Sequence, residues 1–476
     1  MTPISNADFA PFVEKMRREG EAALVIDTFR HYYQTLASGV SGMIGEAEIA
    51  PVAAVSAQSE LAGYAAAGRA ALGRAALLKL NGGLGTSMGL EKAKSLLTVR
   101  DGLSFLDIII HQVLRARVQT GADIPLLLMN SFSTDEDTRA VLDRYSEIRT
   151  QPVPATMMQN KVPKILRADL RPAEWPENPE LEWCPPGHGD LYVALQTSGV
   201  LRRLLDAGFN YLFVSNSDNL GATLDEHILG YVAAENIPFL MEVATRTEAD
   251  KKGGHLAQRR SDERLILREV AQCADEDMAA FQDTGRYRYF NTNNIWINLS
   301  ALTAVLDEQG GVIKLPMIRN GKTVDPRDKN SPEVYQLETA MGAAIEVFEG
   351  ARALLVDRSR FTPVKTCNDL LALRSDMFTM NDDYQLRQSP GRTLDTITID
   401  LDNRFYKLID DFTARFPGDA PSLINCTRFS ITGDVLVESG VSCQGNVIII
   451  NSRDAQQRLP QGTVLADQTV TLGSTD

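Results

Sequence analysis

The chain contains 476 residues, 44% hydrophobic and 23% charged, a composition typical of a globular protein rather than a disordered or collagen-like one. This length suggests roughly three domains of about 150 residues each, or one enzyme core with appendages. The 48 Lys and Arg residues against 62 Asp and Glu give a net charge of −14, which argues against a general nucleic-acid-binding protein. A small anionic ligand held by a few lysines is still compatible with that charge. No segment approaches the roughly 20 uninterrupted apolar residues that a bilayer span requires, so we expect no membrane association.

The cysteines point to a reducing compartment. They are five in number and scattered, without any Cys-x-x-Cys pair, so neither a disulfide framework nor a structural zinc site is expected. Residues 1–8 lack the basic and apolar regions of a secretory signal. We therefore predict a cytoplasmic protein.

Along the chain, helices are predicted first, because apolar residues between Asn6 and about Ala37 recur mostly at intervals of three and four. An Ala- and Gly-rich connector then leads into a sequence in which apolar runs alternate with helical stretches. The runs are 75–80, 124–129 and 211–214, and the helical stretches are 104–118 and 191–207. This alternation predicts a doubly wound α/β sheet.

The tail changes character after about Thr393, where short β-type runs are separated by Gly-Asp and Gly-Asn turns. Such repeats predict a small β domain, with a β-helix as the preferred form. The predicted division is therefore an N-terminal helical segment at 1–60, an α/β domain at 61–390 and a C-terminal β domain at 391–476.

The first candidate site is a glycine-rich loop directly after a buried strand, where ligands bind in sheets of this kind. The segment from Leu80 to Gly89 contains four glycines, and Lys94 follows it. Successive backbone N–H groups in such a loop can form an anion-binding nest, and the lysine can neutralise a phosphate. The loop matches neither the Walker A pattern nor the dinucleotide fingerprint. The alternative is a tight turn without a ligand, followed by a surface lysine.

A second candidate is the segment from Pro185 to Asp190, in which His188 lies between two glycines. An imidazole exposed in this way can bond a phosphate or a sugar hydroxyl, although an ordinary loop histidine is the alternative. Asp190 is expected to cap the following helix.

Asp218 is the candidate metal ligand. It lies in Ser215-Asn216-Ser217-Asp218-Asn219, at the end of a buried strand, where one carboxylate is enough to hold Mg²⁺ against substrate phosphates. The alternative is an aspartate that caps a turn.

Two further groups are less specific. Gly254, Glu269 and the Asn-rich segment 290–296 offer amide and carboxylate groups of the kind that bind sugar hydroxyls, although Asn clusters also form turns. Lys365 precedes a predicted helix, and it is either a second phosphate lysine or an ordinary surface lysine.

Together these motifs resemble the eukaryotic-type UTP–glucose-1-phosphate uridylyltransferase family, also called the UDP-glucose pyrophosphorylase family. The resemblance spans about residues 75–375 and rests on LKLNGGLGTSMG, KSL, PPGHGD, FVSNSDNLGA, FNTNNIW, QLETAMGAAI and RFTPVKTCNDLL. It implies a Rossmann-like nucleotidyltransferase core with a mixed, mainly parallel sheet, an N-terminal helical segment and a C-terminal left-handed β-helix. Whether the protein is a homo-oligomer stays open.

The resemblance also implies a role for each matching residue. Those along the uridine and its phosphates would be Leu80, Asn81, Gly82 and Gly83, with Gln159 and Gly187 at the uracil edge. Lys94 and Lys365 would hold phosphates and act in catalysis, and Asp218 would coordinate Mg²⁺. The residues around glucose 1-phosphate would be His188, Asn216, Gly254, Glu269, Asn291 and Asn293.

The implied reaction is attack by a phosphate oxygen of glucose 1-phosphate on the α-phosphorus of UTP, which gives UDP-glucose and pyrophosphate. The attacking phosphate is already ionised, so catalysis consists mostly of positioning and charge neutralisation. One alternative is a UDP-sugar pyrophosphorylase of broad specificity. A UDP-sugar-dependent glycosyltransferase is less favoured because it needs no glycine nest with two phosphate lysines, and a non-catalytic regulator would be expected to lack Lys94, Asp218 or Lys365.

Overall fold

The computed structural model describes residues 6–394 and 397–473 of the chain. The α-helices are α1 (Asn6–Arg18), α2 (Ala23–Ala37), α3 (Ala65–Ala71), α4 (Phe105–Thr120), α5 (Asp135–Leu142), α6 (Ser146–Arg149), α7 (Leu191–Thr197), α8 (Val200–Asp206), α9 (Glu226–Ala234), α10 (Met278–Phe281), α11 (Leu299–Glu308), α12 (Cys367–Arg374), α13 (Asn403–Tyr406) and α14 (Ile409–Arg415).

The strands of the first half are β1 (Ile49–Pro51), β2 (Ser56–Ala57), β3 (Ala75–Asn81), β4 (Thr98–Arg100), β5 (Leu103–Ser104), β6 (Leu126–Asn130), β7 (Thr156–Met158), β8 (Val162–Pro163), β9 (Ile165–Leu166), β10 (Trp183–Cys184), β11 (Tyr211–Asn216) and β12 (Phe239–Thr245). Those of the second half are β13 (His255–Arg259), β14 (Leu265–Arg268), β15 (Tyr289–Asn298), β16 (Ile318–Thr323), β17 (Glu333–Glu338), β18 (Arg352–Leu355), β19 (Phe378–Met380), β20 (Leu386–Gln388), β21 (Thr398–Leu401), β22 (Ser422–Thr432), β23 (Val435–Val437), β24 (Ser442–Asn451), β25 (Gln457–Leu459) and β26 (Val464–Leu472).

A mixed, mainly parallel sheet forms the centre of the molecule. Its main path runs β2-β18-β12-β15-β11-β3-β6-β7, and β1, β13 and β14 join it at the side. Within this path β15 is antiparallel to both its neighbours, whereas the other pairs are parallel. The α/β prediction is therefore confirmed.

Both faces of the sheet are covered, as the apolar runs predict. Alternate side chains of a strand point to opposite faces, so Leu77 of β3 packs into one hydrophobic core and Leu78 into a second. Phe213 and Val214 of β11 divide in the same way. Because β3 pairs in parallel with both β11 and β6, the C-terminal ends of these three strands lie at the same edge of the sheet.

The N-terminal helices form a hairpin against the main body. Phe12 and Met16 of α1 and Phe29 and Tyr33 of α2 are buried in one cluster, and the rings of Phe12 and Tyr33 lie 4.9 Å apart. The helical prediction is thus confirmed. Residues 49–57 inside the predicted N-terminal segment nevertheless contribute β1 and β2 to the central sheet.

Two segments differ in detail from their predictions. The helical stretch predicted over 191–207 is two helices, α7 and α8, because Gly199 between them has a φ of +71°, which a continuing helix does not allow. The predicted connector at 60–75 contains helix α3, whose Gly68 packs so closely that a Cβ there would lie 1.7 Å from the Glu226 carbonyl oxygen.

The tail consists of stacked parallel strands. β21, β22, β24 and β26 pair in parallel in that order, and β23 pairs in parallel with β25. Phe429, Val447 and Ile449 fill its interior. The prediction that the tail is built of short β-type segments is thus confirmed.

Candidate active site

The glycine-rich loop begins where β3 ends and folds back toward Lys94. Gly85 and Gly89 have φ values of +65° and +72°, which a side chain would strain. A Cβ at Gly85 would lie 2.7 Å from Leu90 Cδ1 and 3.2 Å from Lys94 Cγ. The backbone N–H of Lys94 donates to the Gly83 carbonyl at 3.0 Å. The lysine is therefore held directly beside the glycine loop that precedes it.

The neighbouring strand β6 supplies the support for this loop. Ser131, just past β6, donates from its hydroxyl to the Gly82 carbonyl at 2.9 Å. The backbone carbonyl of Asn130 accepts the backbone N–H of Gln159 at 2.7 Å. The Gln159 side chain donates from Nε2 to the Gly187 carbonyl at 2.9 Å. The two residues predicted to read the uracil edge are thus bonded to each other.

Asp190 supports the Gln159–Gly187 pair through the neighbouring residue Asn160. Its side chain does not cap α7, as the sequence predicts; it accepts from the backbone N–H of Asn160 at 2.7 Å and from Asn160 Nδ2 at 2.9 Å. Burial raises the pKa of Asp190 to about 6, although both Asn160 bonds oppose the rise. Because Asn160 follows Gln159, this contact fixes the direction of the glutamine.

His188 is a neutral hydrogen-bond donor in this arrangement. Its Nδ1 accepts the backbone N–H of Met341 at 3.0 Å, which leaves the proton on Nε2. Burial, with Lys365 acting in the same direction, lowers the pKa of His188 to about 4. Gly187 and Gly189 on either side lie so close to Thr339 that a Cβ at either would come within 2.5 Å of it. The histidine therefore needs both neighbouring glycines to reach this position.

Asp218 and the two predicted phosphate lysines meet at the end of β11. Lys94 Nζ and Lys365 Nζ lie 2.7 Å and 3.0 Å from Asp218 Oδ2, and Lys94 also donates to the Val364 carbonyl. Burial alone would raise the pKa of Asp218, but the two ammonium groups hold it below its usual value. Among the described residues, Asp218 Oδ1 is buried without a hydrogen-bond partner. One carboxylate oxygen is therefore left for a further ligand.

These elements line one cleft of about 380 Å³. The predicted residues along it are Leu80, Gly82, Gly83, Lys94, Gln159, Gly187, His188, Asn216, Asp218 and Lys365. Met129, Pro185 and Ser217 line it as well.

The predicted sugar-binding residues cluster next to His188. A Cβ at Gly254 would lie 2.6 Å from the Glu269 carboxylate, and the Gly254 carbonyl accepts the Asn291 N–H at 3.1 Å. Asn291 Nδ2 donates to Asn293 Oδ1 at 2.9 Å, with Asn293 at a φ of +59°. The 3-10 helix Met341–Glu346 connects this cluster with His188. The Met341 N–H donates to His188 Nδ1, and a Cβ at Gly342 would lie 3.2 Å from Asn291 Nδ2.

Burial raises the pKa of Glu269 to about 7. The carboxyl group is therefore divided between its protonated and ionised forms near neutral pH. In either form it can bond a sugar hydroxyl, since the protonated group donates and the ionised group accepts.

Asn81 is predicted to lie along the nucleotide, but its side chain does not line the cleft. Its Nδ2 donates inward, to Asn130 Oδ1 at 2.8 Å and to Thr138 Oγ1 at 2.9 Å. The residue ties β3 to β6 and α5, so only its backbone is available to a ligand. The predicted residues Gly254, Glu269, Asn291 and Asn293 do not line this cleft either.

Lys79 is a buried charge near the cleft that the motifs do not single out. It is fully buried on β3, and burial lowers its pKa to about 7, with Arg360 adding to the effect and Glu242 and Asp218 opposing it. A lysine inside the apolar run Ala75 to Leu80 is the signal that sequence reasoning missed, because lysine is almost never fully buried without a partner.

The described part of the chain has no helix that is both long and apolar enough to cross a bilayer. Nor does that part contain a cluster of three or more His, Cys, Asp or Glu side chains suited to hold a metal ion. A cation at Asp218 would accordingly need most of its ligands from substrate and water.

The chain is similar to known proteins over most of its length. A family model described as UTP–glucose-1-phosphate uridylyltransferase matches residues 26–444. The relative of that name from Saccharomyces cerevisiae is 40% identical over 396 residues, 83% of this chain and 77% of its own. The barley (Hordeum vulgare) relative of that name is also 40% identical, over 395 residues, 83% of this chain and 81% of its own.

Solved structures agree with these relatives. A mutant of UDP-glucose pyrophosphorylase from Leishmania major in complex with UDP-glucose is 43% identical, with a TM-score of 0.91 over 98% of this chain and 100% of that one. A Trypanosoma brucei structure, titled a UDP-glucose phosphorylase, is 43% identical with a TM-score of 0.89 over 98% of this chain and 100% of its own. With its fold, its cleft and these matches in agreement, the chain belongs to the UTP–glucose-1-phosphate uridylyltransferase family.

Proposed function

We propose that this protein transfers the uridylyl group of UTP to α-D-glucose 1-phosphate and forms UDP-glucose and pyrophosphate. The observation that carries the proposal is the convergence of the glycine loop, the Gln159–Gly187 pair and the Lys94–Asp218–Lys365 cluster on one cleft. Curated relatives carry this activity in their names, and the Leishmania major structure holds UDP-glucose.

The cleft divides into three regions in this proposal. The uracil lies against Gln159 and Gly187, and the backbone of Leu80 to Gly83 follows the nucleoside and its phosphates. Lys94 and Lys365 contact the phosphates. The sugar phosphate is bound by the cluster around Glu269 and by His188, whose Nε2–H donates to it.

Mg²⁺ fits the residues present. Asp218 offers a buried carboxylate oxygen without a partner, and magnesium commonly takes one or two protein carboxylates together with substrate phosphates. When bound there, the ion would neutralise phosphate charge. Asp218 would be its protein ligand.

The chain's own residues carry out the remaining work by position and charge. Lys94 and Lys365 pair with Asp218 in this structure, and both line the cleft. When the substrates bind, the two ammonium groups contact phosphate oxygens in place of the carboxylate. Attack occurs in line: a phosphate oxygen of glucose 1-phosphate forms a bond to the α-phosphorus as the bond to pyrophosphate breaks. Because the attacking oxygen is already ionised, no protein nucleophile or general base is needed.

His188 supports binding rather than proton transfer. With a pKa of about 4 and Nδ1 occupied by the Met341 N–H, the ring stays neutral near pH 7 and donates from Nε2. A neutral donor orients an anionic or hydroxyl group without taking a proton from it.

The test is pyrophosphate release by purified protein with UTP, Mg²⁺ and glucose 1-phosphate. Galactose and N-acetylglucosamine 1-phosphates and the nucleotides ATP, CTP, GTP and dTTP serve as comparisons. Release confined to UTP with glucose 1-phosphate supports the proposal, whereas equal rates with galactose 1-phosphate point to a UDP-sugar pyrophosphorylase. No release with any pair rejects the proposal.

Three further features belong to the proposal. We place the protein in the cytoplasm, a setting that agrees with five free, buried cysteines. The parallel tail strands are proposed to wind as a left-handed β-helix. Association into a homo-oligomer is the third feature, and light scattering on the purified chain tests it.

A further inference from the structure

A buried lysine lies behind the phosphate cluster, outside the cleft itself. Lys79 pairs with Ser215 in the parallel register of β3 and β11. Its Nζ donates to Ser215 Oγ at 2.7 Å and to the Ala222 carbonyl at 2.8 Å. The two acceptors bracket the turn from Ser215 to Ala222, and Asp218 lies in the middle of that turn.

The same turn is fastened on its other side to the segment that carries Lys365. Asn219 Nδ2 donates to the Arg360 carbonyl at 3.0 Å, and Asn219 Oδ1 accepts the Thr362 N–H at 3.0 Å. The Val364 N–H donates to the Asp218 carbonyl at 3.3 Å. A displacement of the turn would therefore move Asp218 and Lys365 together.

A buried ion pair, Arg360 with Glu242, also holds this turn. Glu242 is fully buried on β12 and accepts from Arg360 at 2.6 Å and 2.9 Å, and from Trp296 Nε1 at 2.8 Å. Arg360 also donates to the Thr223 carbonyl at 3.0 Å. The turn is thus held by Lys79 at Ala222 and by Arg360 at the next residue.

Space around the turn is also closed. A Cβ at Gly221 would lie 2.1 Å from the Ser359 carbonyl oxygen, so the turn cannot shift toward that segment. A buried lysine destabilises the fold unless it is well paired, and an apolar residue would fill the core at lower cost. The lysine at position 79 is explained by its two hydrogen bonds to the turn from Ser215 to Ala222.

We propose that Lys79 is a positioning residue: it fixes the turn from Ser215 to Ala222 so that Asp218 faces the phosphates with Lys94 and Lys365. This inference rests on the proposed function, because it assumes that Asp218 and the lysines bind Mg²⁺ and phosphate. Lys79 itself need not touch substrate.

The test is Lys79→Met, which keeps the approximate length of the side chain and removes the amino group that bonds Ser215 and Ala222. We expect turnover at saturating substrates to fall at least tenfold, and the Mg²⁺ concentration for half-maximal rate to rise at least threefold. Calorimetric titration with UTP gives a readout independent of activity. The ratio of UTP affinity with Mg²⁺ to that with EDTA should fall at least threefold.

Lys164→Met is the matched control. Lys164 is also buried, and its Nζ donates to the Val324 carbonyl at 2.8 Å, outside the cleft. We expect it to lower Tm like Lys79→Met and to leave turnover and the Mg²⁺ midpoint unchanged. If Lys79→Met does not fold, Ser215→Ala removes one of the two acceptors and should raise the Mg²⁺ midpoint at least twofold.

The outcomes separate the inference from the function. If the wild type is active but the folded Lys79 variant, or otherwise Ser215→Ala, keeps its turnover and Mg²⁺ midpoint, the positioning role is wrong. A wild type that releases no pyrophosphate, or whose UTP affinity does not respond to Mg²⁺, overturns the proposed function, and the inference with it.

Discussion

Gln159 donates from Nε2 to the carbonyl oxygen of Gly187 at 2.9 Å, which leaves Oε1 as the free acceptor of that side chain. The N3–H of uracil is a donor, whereas N3 of cytosine is an acceptor. The bond to Gly187 therefore gives the glutamine the polarity that suits uracil.

Replacing Gln159 with Ala should relax this choice of base. We expect the ratio of kcat/KM for UTP to that for CTP to fall about 10- to 100-fold, because a site left without its paired polar group loses about 1–3 kcal/mol of discrimination. Kinetics with both nucleotides measure the ratio. An unchanged ratio would show that other groups read the base.

Lys365→Ala should lower turnover by about two or more orders of magnitude, the scale found when one donor to a transition state is removed. The fold should change little, because 58% of the Lys365 side chain is exposed. Steady-state kinetics and Tm test both statements. Lys322→Ala, at an exposed lysine of β16, serves as the control for loss of one positive charge. A normal rate for Lys365→Ala would remove this lysine from the mechanism.

Asp218→Asn should weaken the binding of Mg²⁺, because the amide keeps one oxygen but loses the negative charge. We expect at least a tenfold rise in the Mg²⁺ concentration needed for half-maximal activity. In the wild type, EDTA should abolish activity and added Mg²⁺ should restore it. Identical metal titrations for the two proteins would contradict the assignment of Asp218 as ligand.

Glu269 should make stability depend on pH near neutrality. In the unfolded chain it ionises near pH 4.5, whereas burial raises its folded pKa to about 7. The folded state thus holds the proton longer, so this group lowers the free energy of unfolding as pH rises from about 4.5 through 7. The Tm of Glu269→Gln minus the Tm of the wild type should be larger at pH 8 than at pH 5. A Tm difference that is the same at both pH values would argue against the raised pKa.

The same titration should affect sugar-phosphate binding. If the ionised carboxylate accepts from sugar hydroxyls, KM for glucose 1-phosphate should fall between pH 6 and pH 8. Glu269→Gln is the control, because the phosphate of the substrate still ionises over this pH range whereas the side chain at position 269 no longer does. Parallel KM profiles for the two proteins would show that ionisation of Glu269 does not affect sugar-phosphate binding.

Much of the fold was predictable because local patterns carry it. The apolar runs that became β3, β6 and β11 are continuous, and Thr366 caps α12 just after Lys365. The break between α7 and α8 was missed because the helical pattern of apolar residues continues across it. Only the backbone conformation at Gly199 reveals the change.

By itself, the sequence determined the class of fold, the family and nearly all of the residues around the cleft, because these follow from contiguous motifs at strand ends. Tertiary structure alone decided how those residues are held. Glu242 and Arg360 are 118 positions apart, and Lys79 and Ser215 are 136 apart. The inward turn of Asn81, the partner of Asp190 and the tautomer of His188 likewise depend on contacts between distant segments. Such contacts exist only once the sheet has brought the segments together, and no local pattern records them.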